Sequence, residues 1–267
     1  MKTILLTGAT DGIGLETAKR LLEQGHKLLL HGRNPQKLNA LRGEFAKDHG
    51  EDRVETCVAD LSDLKAVGAM ADAILAGHDH IDVLINNAGV LKTSDPVTPG
   101  GLDVRFVVNT LAPMLLSRRL APIIVPGGRI VNLSSAAQAP VDFDALQGRR
   151  RLADNAAYAQ SKLALTMWSN QYAEEVRAED IMVVAVNPGS LLATKMVKEG
   201  YGIPGSDIGI GAGILVRAAL SDEFADATGK YFDNDSRRFA NPHPDAMDAH
   251  KRQRLVDVLD TLLARAV

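Results

Sequence analysis

The 267-residue sequence predicts an α/β fold, a doubly wound parallel sheet of about seven strands with helices on both faces. Short β-branched or leucine-rich runs alternate with longer helical patterns, which is typical of right-handed strand–helix–strand crossovers. Several of the short runs are apolar throughout, as expected for strands that are covered on both faces. No break in composition, linker or internal repeat divides the chain, so we expect a single domain over 1–267.

The predicted elements follow one another along the chain. The strands are 3–7, 27–31, 54–58, 82–86, 129–133, 181–186 and 230–232. The helices cover roughly 12–25, 35–48, 62–77, 102–123, 155–178, 207–220 and 244–266. The last helix carries an apolar stripe that could close over the core or meet a partner subunit. The members of this stripe are Leu255, Val258, Leu259, Leu262 and Leu263.

Composition narrows the range of functions. With 46% hydrophobic residues, 24% charged residues and a net charge of −3, the chain offers no electrostatic case for binding nucleic acid or an anionic membrane. Cys57 is the single cysteine, so we expect neither an intrachain disulfide nor a metal site built from thiolates. Arg118 and Arg119 interrupt the most apolar segment, which argues against a membrane span, and the apolar stretch at the start is too short for a signal peptide. We therefore expect a cytoplasmic protein.

The segment TGATDGIG, at 7–14, follows the first strand and opens the first helix. Ligands of such sheets bind beyond the carboxyl ends of the strands. Gly8, Gly12 and Gly14 permit a tight turn there and allow a pyrophosphate to approach the backbone, and free amides at the helix start would face the anion. The motif lacks the Lys-Ser/Thr pair of a phosphate-transfer loop. A tight corner without a ligand is the alternative, but the position in the first strand–helix unit favours a nucleotide site.

The corner after the second strand bears on which nucleotide binds. An NAD site places an acidic residue about 20 residues beyond the glycines, whereas LLLHGRN places Gly32 and Arg33 there. A guanidinium can bind a 2′-phosphate through two hydrogen bonds. The sequence therefore favours NADP(H), and NAD(H) is not excluded. Arg33 could instead be a solvated loop charge, and Asn34 and His31 could share the phosphate contact or take no part in it.

The segment YAQSK contains a potential acid–base pair, Tyr158 and Lys162. Residues four apart share a helix face, which brings the phenol and the ammonium together. A free tyrosine has a pKa of about 10, and a neighbouring cation favours its phenolate. An isolated Y-x-x-x-K would more simply be a packing tyrosine beside an exposed lysine.

Further polar residues occur where that chemistry would need them. Ser134 and Ser135 end a central strand, where a hydroxyl could hydrogen-bond a carbonyl or a developing alkoxide. Asn109 lies inside an apolar helical pattern, where an amide is costly unless it has a partner. The segments NNAG, at 86–89, and NPGS, at 187–190, form turns after the fourth and sixth strands that suit a close approach of a cofactor.

Taken in order, TGATDGIG, the AD of VADL, NNAG, the VN of VVNTL, NLSS, YAQSK and NPG resemble the short-chain dehydrogenase/reductase family over almost the whole chain. The resemblance implies a Rossmann-type fold, a nicotinamide cofactor and a catalytic set of Asn109, Ser135, Tyr158 and Lys162. Ser135 is chosen over Ser134 because the second serine of the motif is the family's catalytic one. The resemblance also implies association into homodimers or homotetramers through the Tyr158 helix and its neighbour.

The resemblance further implies a mechanism and a set of cofactor contacts. Tyr158 would act as general acid/base while hydride passes between the nicotinamide and a carbonyl or alcohol carbon. Lys162 would lower the tyrosine pKa and hold the nicotinamide ribose, and Asn109 would help to hold a water. The implied cofactor contacts are Gly8, Thr10, Asp11, Gly12, Ile13, Gly14, Arg33, Asn34, Asp60, Leu61, Asn87, Ala88, Gly89, Tyr158, Lys162, Pro188 and Gly189. By the same resemblance Asp60 lies by the adenine and Asn87 by the adenosine ribose.

Two segments depart from the common family pattern. An insert over about 139–155 lengthens the gap between Ser135 and Tyr158, and it looks like the insert of the retinol-dehydrogenase-like branch. That likeness implies a small, apolar carbonyl or alcohol substrate. A segment over about 190–206 is expected to be a substrate lid, in which Thr194 lies one residue further from the proline than the family's threonine. The alternative function is a catalytically silent NADP-binding regulatory or scaffold protein.

Overall fold

The computed structural model describes residues 1–266, in which eight strands form one sheet. The strand order is β3-β2-β1-β4-β5-β6-β7-β8. The strands are Thr3–Leu6 (β1), Lys27–Gly32 (β2), Val54–Val58 (β3), Ile81–Asn86 (β4), Ile124–Leu133 (β5), Met182–Asn187 (β6), Tyr231–Asp233 (β7) and Arg238–Ala240 (β8). The central strands β1, β4 and β6 are almost wholly buried, as their apolar sequences predict.

The eighth strand corrects the prediction of about seven. Strands β1 to β7 pair in parallel, whereas β8 pairs with β7 in the antiparallel direction. The two are joined by a short turn in which Arg237 has a φ of 55°. Because β8 has three residues, two of them charged or small, its sequence carries no strand pattern to detect.

The helices lie on both faces of the sheet. The longer helices are Gly12–Glu23 (α1), Pro35–His49 (α2), Leu64–Gly77 (α3), Ala112–Leu120 (α5), Asp154–Glu175 (α7), Ile208–Leu220 (α9) and Ala249–Ala266 (α11). The shorter ones are Val104–Phe106 (α4), Phe143–Leu146 (α6), Lys195–Tyr201 (α8) and Pro244–Met247 (α10). Two of these, α6 and α8, lie in the insert and the lid, where the sequence predicts no helix. A search of the described helices for one long and apolar enough to cross a bilayer finds none.

Two apolar cores cover the two faces of the sheet. One contains side chains of α3, α5, α7 and α11, and the other contains side chains of α1, α2 and α9. Leu255, Leu259 and Leu263 of α11 are buried in the same core as Trp168 of α7. The apolar stripe of the last helix therefore closes over the core, which decides between the two possibilities that the sequence left open.

The predicted helix over 102–123 is interrupted in its middle. Between α4 and α5, Val107–Leu111 forms a π-helical turn, in which the Ala112 amide donates to the Val107 carbonyl five residues back. Such turns often occur at functional sites because they rotate one side chain out of the regular helical order. The turn contains Asn109.

The sheet topology determines where a ligand can bind. The strand order reverses at β1, which lies between β2 and β4, so the connections on its two sides leave in opposite directions. The resulting crevice lies at the carboxyl ends of β1 and β4, where the segments 7–14 and 86–89 meet.

The insert over 139–155 is packed against the rest of the protein rather than projecting from it. Ala145 and Leu146 of α6 are buried, and the Asp142 amide donates to Gln160 Oε1 of α7 at 2.9 Å. The arginine run pairs locally, with Arg149 on Asp144 and Arg150 on Asp142. Its charges are thus largely balanced within the insert.

We expect Leu259→Ala to lower the free energy of unfolding by about 2–5 kcal/mol, because the change leaves a cavity where α11 packs on α7. Asp257→Ala, on the exposed face of the same helix, is the control and should change stability by less than about 0.5 kcal/mol. Urea unfolding measures both. Equal effects of the two changes would contradict the packing of α11 described above.

Candidate active site

A cavity of about 1000 Å³ opens at the carboxyl ends of the parallel strands. It brings together almost every site residue that the sequence predicts. Those that line it are Gly8, Thr10, Asp11, Gly12, Ile13, Gly14, Arg33, Asn34, Asp60, Leu61, Asn87, Ala88, Gly89, Ser135, Tyr158, Lys162, Pro188 and Gly189. Asn109 does not line the cavity and lies one layer behind it.

The three glycines of the first turn have different physical roles. A Cβ on Gly14 would lie 2.1 Å from the Gly8 carbonyl oxygen, and one on Gly8 would lie 2.9 Å from the Ala88 Cα. Both positions are therefore closed to larger residues by the chain itself. Gly12, with a φ of +57°, has no backbone atom within 4 Å of a Cβ built on it, and only the Thr194 methyl, at 3.8 Å, and Ile208 Cδ1, at 4.0 Å, lie over it. Of the three, Gly12 is the one over which a ligand can pass closely.

Asn87 holds the glycine turn in place. Its Nδ2 donates to the Thr7 carbonyl at 2.8 Å and to the Gly8 carbonyl at 3.2 Å. The amides of Asn87 and Ala88 both donate to Thr7 Oγ1. With the Thr7 amide and hydroxyl, which both donate to the Ile85 carbonyl, six hydrogen bonds join the end of β4 to the end of β1 and fix the floor of the cavity.

His31 joins the same turn to the next two strands. Its Nδ1 lies 3.2 Å from the Gly8 amide nitrogen, and its Nε2 lies 3.1 Å from the Ala59 carbonyl oxygen. Burial lowers the pKa of this imidazole below its ordinary value. His31 was a possible phosphate contact on sequence grounds, but both of its ring nitrogens form hydrogen bonds with backbone atoms.

Cationic residues gather at the end of the cavity formed by β2. Arg33 and Lys37 are both exposed and both line it. Lys37 lies four residues after Arg33, and its Nζ is 3.8 Å from the Asp11 carboxylate. This lysine was not predicted from the sequence. Asn34 caps α2, because its Oδ1 accepts the Lys37 amide at 2.9 Å.

Gly32 lies where an acidic side chain would be needed for an NAD site. A Cβ on Gly32 would lie 2.8 Å from the Thr10 methyl group and 3.4 Å from Leu38 Cδ1. A larger residue at this position would therefore displace Thr10. In the neighbouring loop after β3, Asp60 Oδ1 accepts the Ser62 amide and hydroxyl, which holds that carboxylate in place.

Lys162 is 2% exposed and lies beside Tyr158, with its Nζ 5.7 Å from the centroid of the phenol ring. The Nζ donates to the Leu133 carbonyl at 2.6 Å. Burial lowers the pKa of this amine to about 7. Gly89 faces it, and a Cβ there would come within 3.5 Å of the amine. The chain thus holds an amine that titrates near neutral pH between the phenol and the cofactor turn.

The two adjacent serines have different environments. Ser134 is 2% exposed, and its hydroxyl bonds Thr166 Oγ1 at 2.7 Å inside the protein. Ser135 is only half-buried and lines the cavity, where its Oγ accepts the Ala137 amide. The Ser135 carbonyl accepts from Gln138 and from the Tyr231 hydroxyl. This geometry favours Ser135 over Ser134 as the residue that could meet a substrate.

Asn109 is completely buried, and its carboxamide is fully hydrogen-bonded. Its Oδ1 accepts the Val90 amide at 2.8 Å, and its Nδ2 donates to the Val90 carbonyl and to Ser161 Oγ. Ser161 Oγ donates in turn to the Tyr158 carbonyl at 2.7 Å. The side chain therefore ties the loop after β4 to the first turns of α7.

Arg105 makes a second connection between these segments. Its guanidinium is buried and binds Asp103 through two nitrogens, the Leu91 carbonyl and the Asp154 carboxylate at the start of α7. Arg105 could not be predicted as a site residue from the sequence, because it lies within an apolar helical pattern and belongs to no motif.

Hydrogen bonds with the segment 233–235, at the end of β7, hold the turn after β6 in place. Asn187 Nδ2 donates to Asp233 at 2.8 Å and to Asp235 at 2.9 Å, and the Ser190 amide and hydroxyl both donate to Asp235. Asn234 donates to the Pro188 carbonyl. In the sequence, the polar run DNDS, 233–236, directly after a short strand, is the feature that could have indicated these hydrogen-bonding residues.

The remaining wall of the cavity combines apolar side chains with four exposed charged residues, Lys92, Asp95, Lys195 and Glu199. The lid contributes Leu192, Met196 and Val197, and the opposite side contributes Leu91, Val104 and Val108. Thr194 caps α8 through Val197 and also lies over Gly12, with its methyl 3.8 Å from a Cβ built there. The lid is fastened at its base, because Ser206 bonds the Leu191 carbonyl through both its amide and its hydroxyl.

The chain is similar to known proteins over most of its length. The family profile described as short chain dehydrogenase matches residues 2–201. Human retinol dehydrogenase 13 is 33% identical over 279 residues, covering 95% of this chain and 82% of that protein. Retinol dehydrogenase 12 from Mus musculus is 30% identical over 275 residues, covering 98% of this chain and 86% of that protein.

Solved structures show the same fold. A protein from Mycobacterium paratuberculosis superposes with a TM-score of 0.81 at 26% identity, covering 99% of this chain and 94% of that one. A metagenomic short-chain oxidoreductase in complex with NADP has a TM-score of 0.63 at 34% identity, covering 84% and 93%. A short chain dehydrogenase from Burkholderia cenocepacia, also in complex with NADP, has a TM-score of 0.70 at 26% identity, covering 87% and 95%.

The fold, the cavity and these similarities agree, and they place the chain in one family. It belongs to the short-chain dehydrogenase/reductase family, in the retinol-dehydrogenase-like branch, and is an oxidoreductase that acts on CH–OH or C=O groups.

Proposed function

We propose that the protein is an NADP(H)-dependent oxidoreductase that transfers a hydride between nicotinamide and a carbonyl or alcohol carbon of a small, apolar substrate, with Tyr158 as general acid/base. The observation that carries the proposal is the shared cavity. Ser135, Tyr158 and Lys162 line the same cavity as the glycine turn at Gly12. A dinucleotide along the glycine turn would therefore end beside these three side chains.

The residues present fit a dinucleotide. The glycine turn suits a pyrophosphate, because only two side-chain atoms lie within 4 Å of a Cβ built on Gly12 and the amides in the first turn of α1 lack partners within the helix. Gly89 leaves room beside the Lys162 amine for a ribose. The other implied contacts lie on the walls of the same cavity. When bound, the nicotinamide supplies or accepts the hydride.

The chain's own groups would manage the proton and the substrate oxygen. The Tyr158 hydroxyl gives its proton to the substrate oxygen in reduction, and the Tyr158 phenolate accepts the proton of the alcohol in oxidation. The Ser135 hydroxyl, on the cavity wall, donates a second hydrogen bond to the same oxygen. The Lys162 ammonium favours the phenolate, and its own proton is exchangeable near neutral pH because burial lowers the amine pKa to about 7. Asn109 holds the loop after β4 against α7, which keeps Tyr158 in place.

The preference for NADP(H) over NAD(H) rests on three side chains near the end of β2, which are Arg33 after this strand, Lys37 on α2 and Thr10 in the glycine turn. Arg33 and Lys37 offer two cations to a 2′-phosphate. Thr10 fills the space that a carboxylate on residue 32 would need. The two solved relatives with bound NADP support this choice.

The apolar side chains of the lid and the loop after β4 support a small, apolar substrate. The similarity to proteins named retinol dehydrogenases supports an apolar alcohol or aldehyde. Three further predictions belong to the proposal. The chain forms a single domain over 1–267, and the protein is cytoplasmic. The insert and the lid form parts of the substrate site.

The alternative is a silent NADP-binding scaffold or regulatory protein of the same fold. A pure binder would have no need for a buried amine beside a phenol, which is costly to bury. Association into homodimers or homotetramers also belongs to the proposal. Because α11 covers part of α7, a second copy would meet α7 outside the covered surface.

We expect Tyr158→Phe to lower kcat for NADPH-dependent reduction of aldehydes and ketones by about 10²–10⁴-fold, because it removes the proton donor and little volume. The assay is NADPH oxidation across a carbonyl panel, and fluorescence titration checks that the variant still binds NADPH. Ser135→Ala and Ser134→Ala form a matched pair. The first should reduce kcat, and the second should mainly reduce stability.

Two outcomes would count against the proposed function. Wild-type protein that binds NADPH yet turns over nothing in the panel would favour the scaffold. Full activity of Tyr158→Phe would remove the tyrosine from the mechanism.

We expect Arg33→Ala to weaken NADPH binding about 10–100-fold and to leave NADH binding within about threefold, because the lost contact is to the 2′-phosphate. Lys37→Ala should act in the same direction with a smaller effect, since Lys37 also lies near Asp11. Lys47→Ala, an exposed lysine near the other end of α2, is the control for general charge. Titration at fixed salt measures the affinities of wild type and of the three variants for NADPH and for NADH. If wild type binds the two cofactors equally, the specificity argument is wrong.

We expect Lys162→Met to change how stability depends on pH. Burial lowers the pKa of Lys162 from 10.5 to about 7, so between these values the unfolded chain binds the proton and the folded chain does not. Wild-type stability should therefore rise with pH, relative to the variant, by up to about 1.4 kcal/mol per pH unit. Urea unfolding of the nucleotide-free proteins at pH 7, 8 and 9 measures the difference. Lys65→Met, an exposed lysine of α3, should show no such trend.

A further inference from the structure

We propose that His31 is a positioning residue that holds the glycine turn in its cofactor-binding conformation, because the lone pair of its Nδ1 accepts the hydrogen bond of the Gly8 amide. The inference rests on the proposed function, since it concerns the turn that would bind the dinucleotide. His31 lies on β2, next to Gly32, and lines the cavity without using either ring nitrogen for a ligand.

The two hydrogen bonds of the ring select one protonation state. The Gly8 amide, 3.2 Å from Nδ1, can only donate, so Nδ1 must carry a lone pair. The Ala59 carbonyl, 3.1 Å from Nε2, can only accept, so Nε2 must carry the hydrogen. Only the neutral tautomer with hydrogen on Nε2 satisfies both partners.

The position of the ring makes this state important for the turn. His31 is 3% exposed, and its own carbonyl accepts the Ala9 amide at 2.9 Å. Two consecutive amides of the turn therefore end on one residue of β2. On the other side, Gly8 is pressed against Ala88 and Gly14, so a shift of Gly8 would move the whole turn.

Protonation of the ring would turn the acceptor into a second donor. An N–H on Nδ1 would face the Gly8 N–H, and the turn would have to move away from β2. Burial keeps the ring neutral by lowering its pKa, while the Ala59 carbonyl and the Asp60 carboxylate act in the opposite direction. The ionisable groups around it are Cys57 beside it on β3, Asp60 after β3, Arg33 at the end of β2, Lys37 on α2 and Asp11 in the turn. Burial raises the pKa of the Cys57 thiol to about 12, so that group stays neutral.

Two substitutions separate the two hydrogen bonds. In His31→Asn, the Oδ1 stands in for Nδ1 and can accept the Gly8 amide, but the contact to Ala59 is lost. In His31→Gln, the Nε2 stands in for the ring Nε2 and can donate to Ala59, but the acceptor for Gly8 is lost. At pH 8 we expect His31→Gln to bind NADP⁺ about tenfold more weakly than His31→Asn, measured by titration calorimetry.

The pH dependence gives a readout that a purely structural role would not change. Over the pH range in which nitrogen-15 spectra show the wild-type His31 ring gaining its second proton, the affinity of wild type for NADP⁺ should fall by at least about fivefold more than that of His31→Asn, which has no titrating ring. The 2′-phosphate and Lys162 titrate in both proteins, so their effects cancel in the comparison. NADP⁺ is used because it withstands acid better than NADPH.

A third measurement does not depend on the variants folding. Nitrogen-15 spectra of histidine-labelled wild-type protein at pH 7.5 should show a His31 ring with hydrogen on Nε2 alone. A ring with hydrogen on Nδ1 would overturn the proposal, as would equal NADP⁺ affinity of the Asn and Gln variants or parallel profiles of wild type and His31→Asn over the pH range in which the wild-type ring gains its second proton. If wild type binds no NADP⁺ at any pH, the proposed function fails first and this inference fails with it.

Discussion

The approach of Gly14 to the carbonyl of Gly8 is the constraint on which the site depends. At 2.1 Å from a hypothetical Cβ, this contact leaves no room for any other residue at position 14. It brings the start of α1 back onto the end of β1, which places Gly12 on the cavity wall and directs the helix N-terminus toward the cavity. Asn87, Thr7 and His31 then hold this turn from two neighbouring strands.

The buried amine of Lys162 is the second costly feature, and it explains the polar surroundings of α7. An ammonium that is 2% exposed loses hydration, so the protein must supply partners such as the Leu133 carbonyl. The same desolvation that destabilises the folded chain brings the amine pKa near neutrality, where proton exchange is useful. Stability and the proposed chemistry therefore oppose each other at this residue.

The sequence predicted the α/β fold and the segments that form the cavity because those features are local. Apolar runs mark buried strands, and the glycines of 7–14 and the pair Tyr158 and Lys162 act within one turn or one helix face. The structure confirms the fold class with one further strand. Residues that act through tertiary contact could not be found in this way. Lys37, Arg105 and Asp235 become meaningful only when a second segment lies beside them.

The hydrogen bonds between the turn after β6 and the segment 233–235 have a consequence for synthesis on the ribosome. The glycine turn, Ser135 and Tyr158 have all been synthesised once α7 is complete, and they can begin to pack as the nascent chain lengthens. The turn at Pro188 and Gly189 still lacks Asp233, Asn234 and Asp235, which arrive more than forty residues later. We therefore expect the growing polypeptide to acquire a finished pocket only when the last eighth of the chain leaves the exit tunnel.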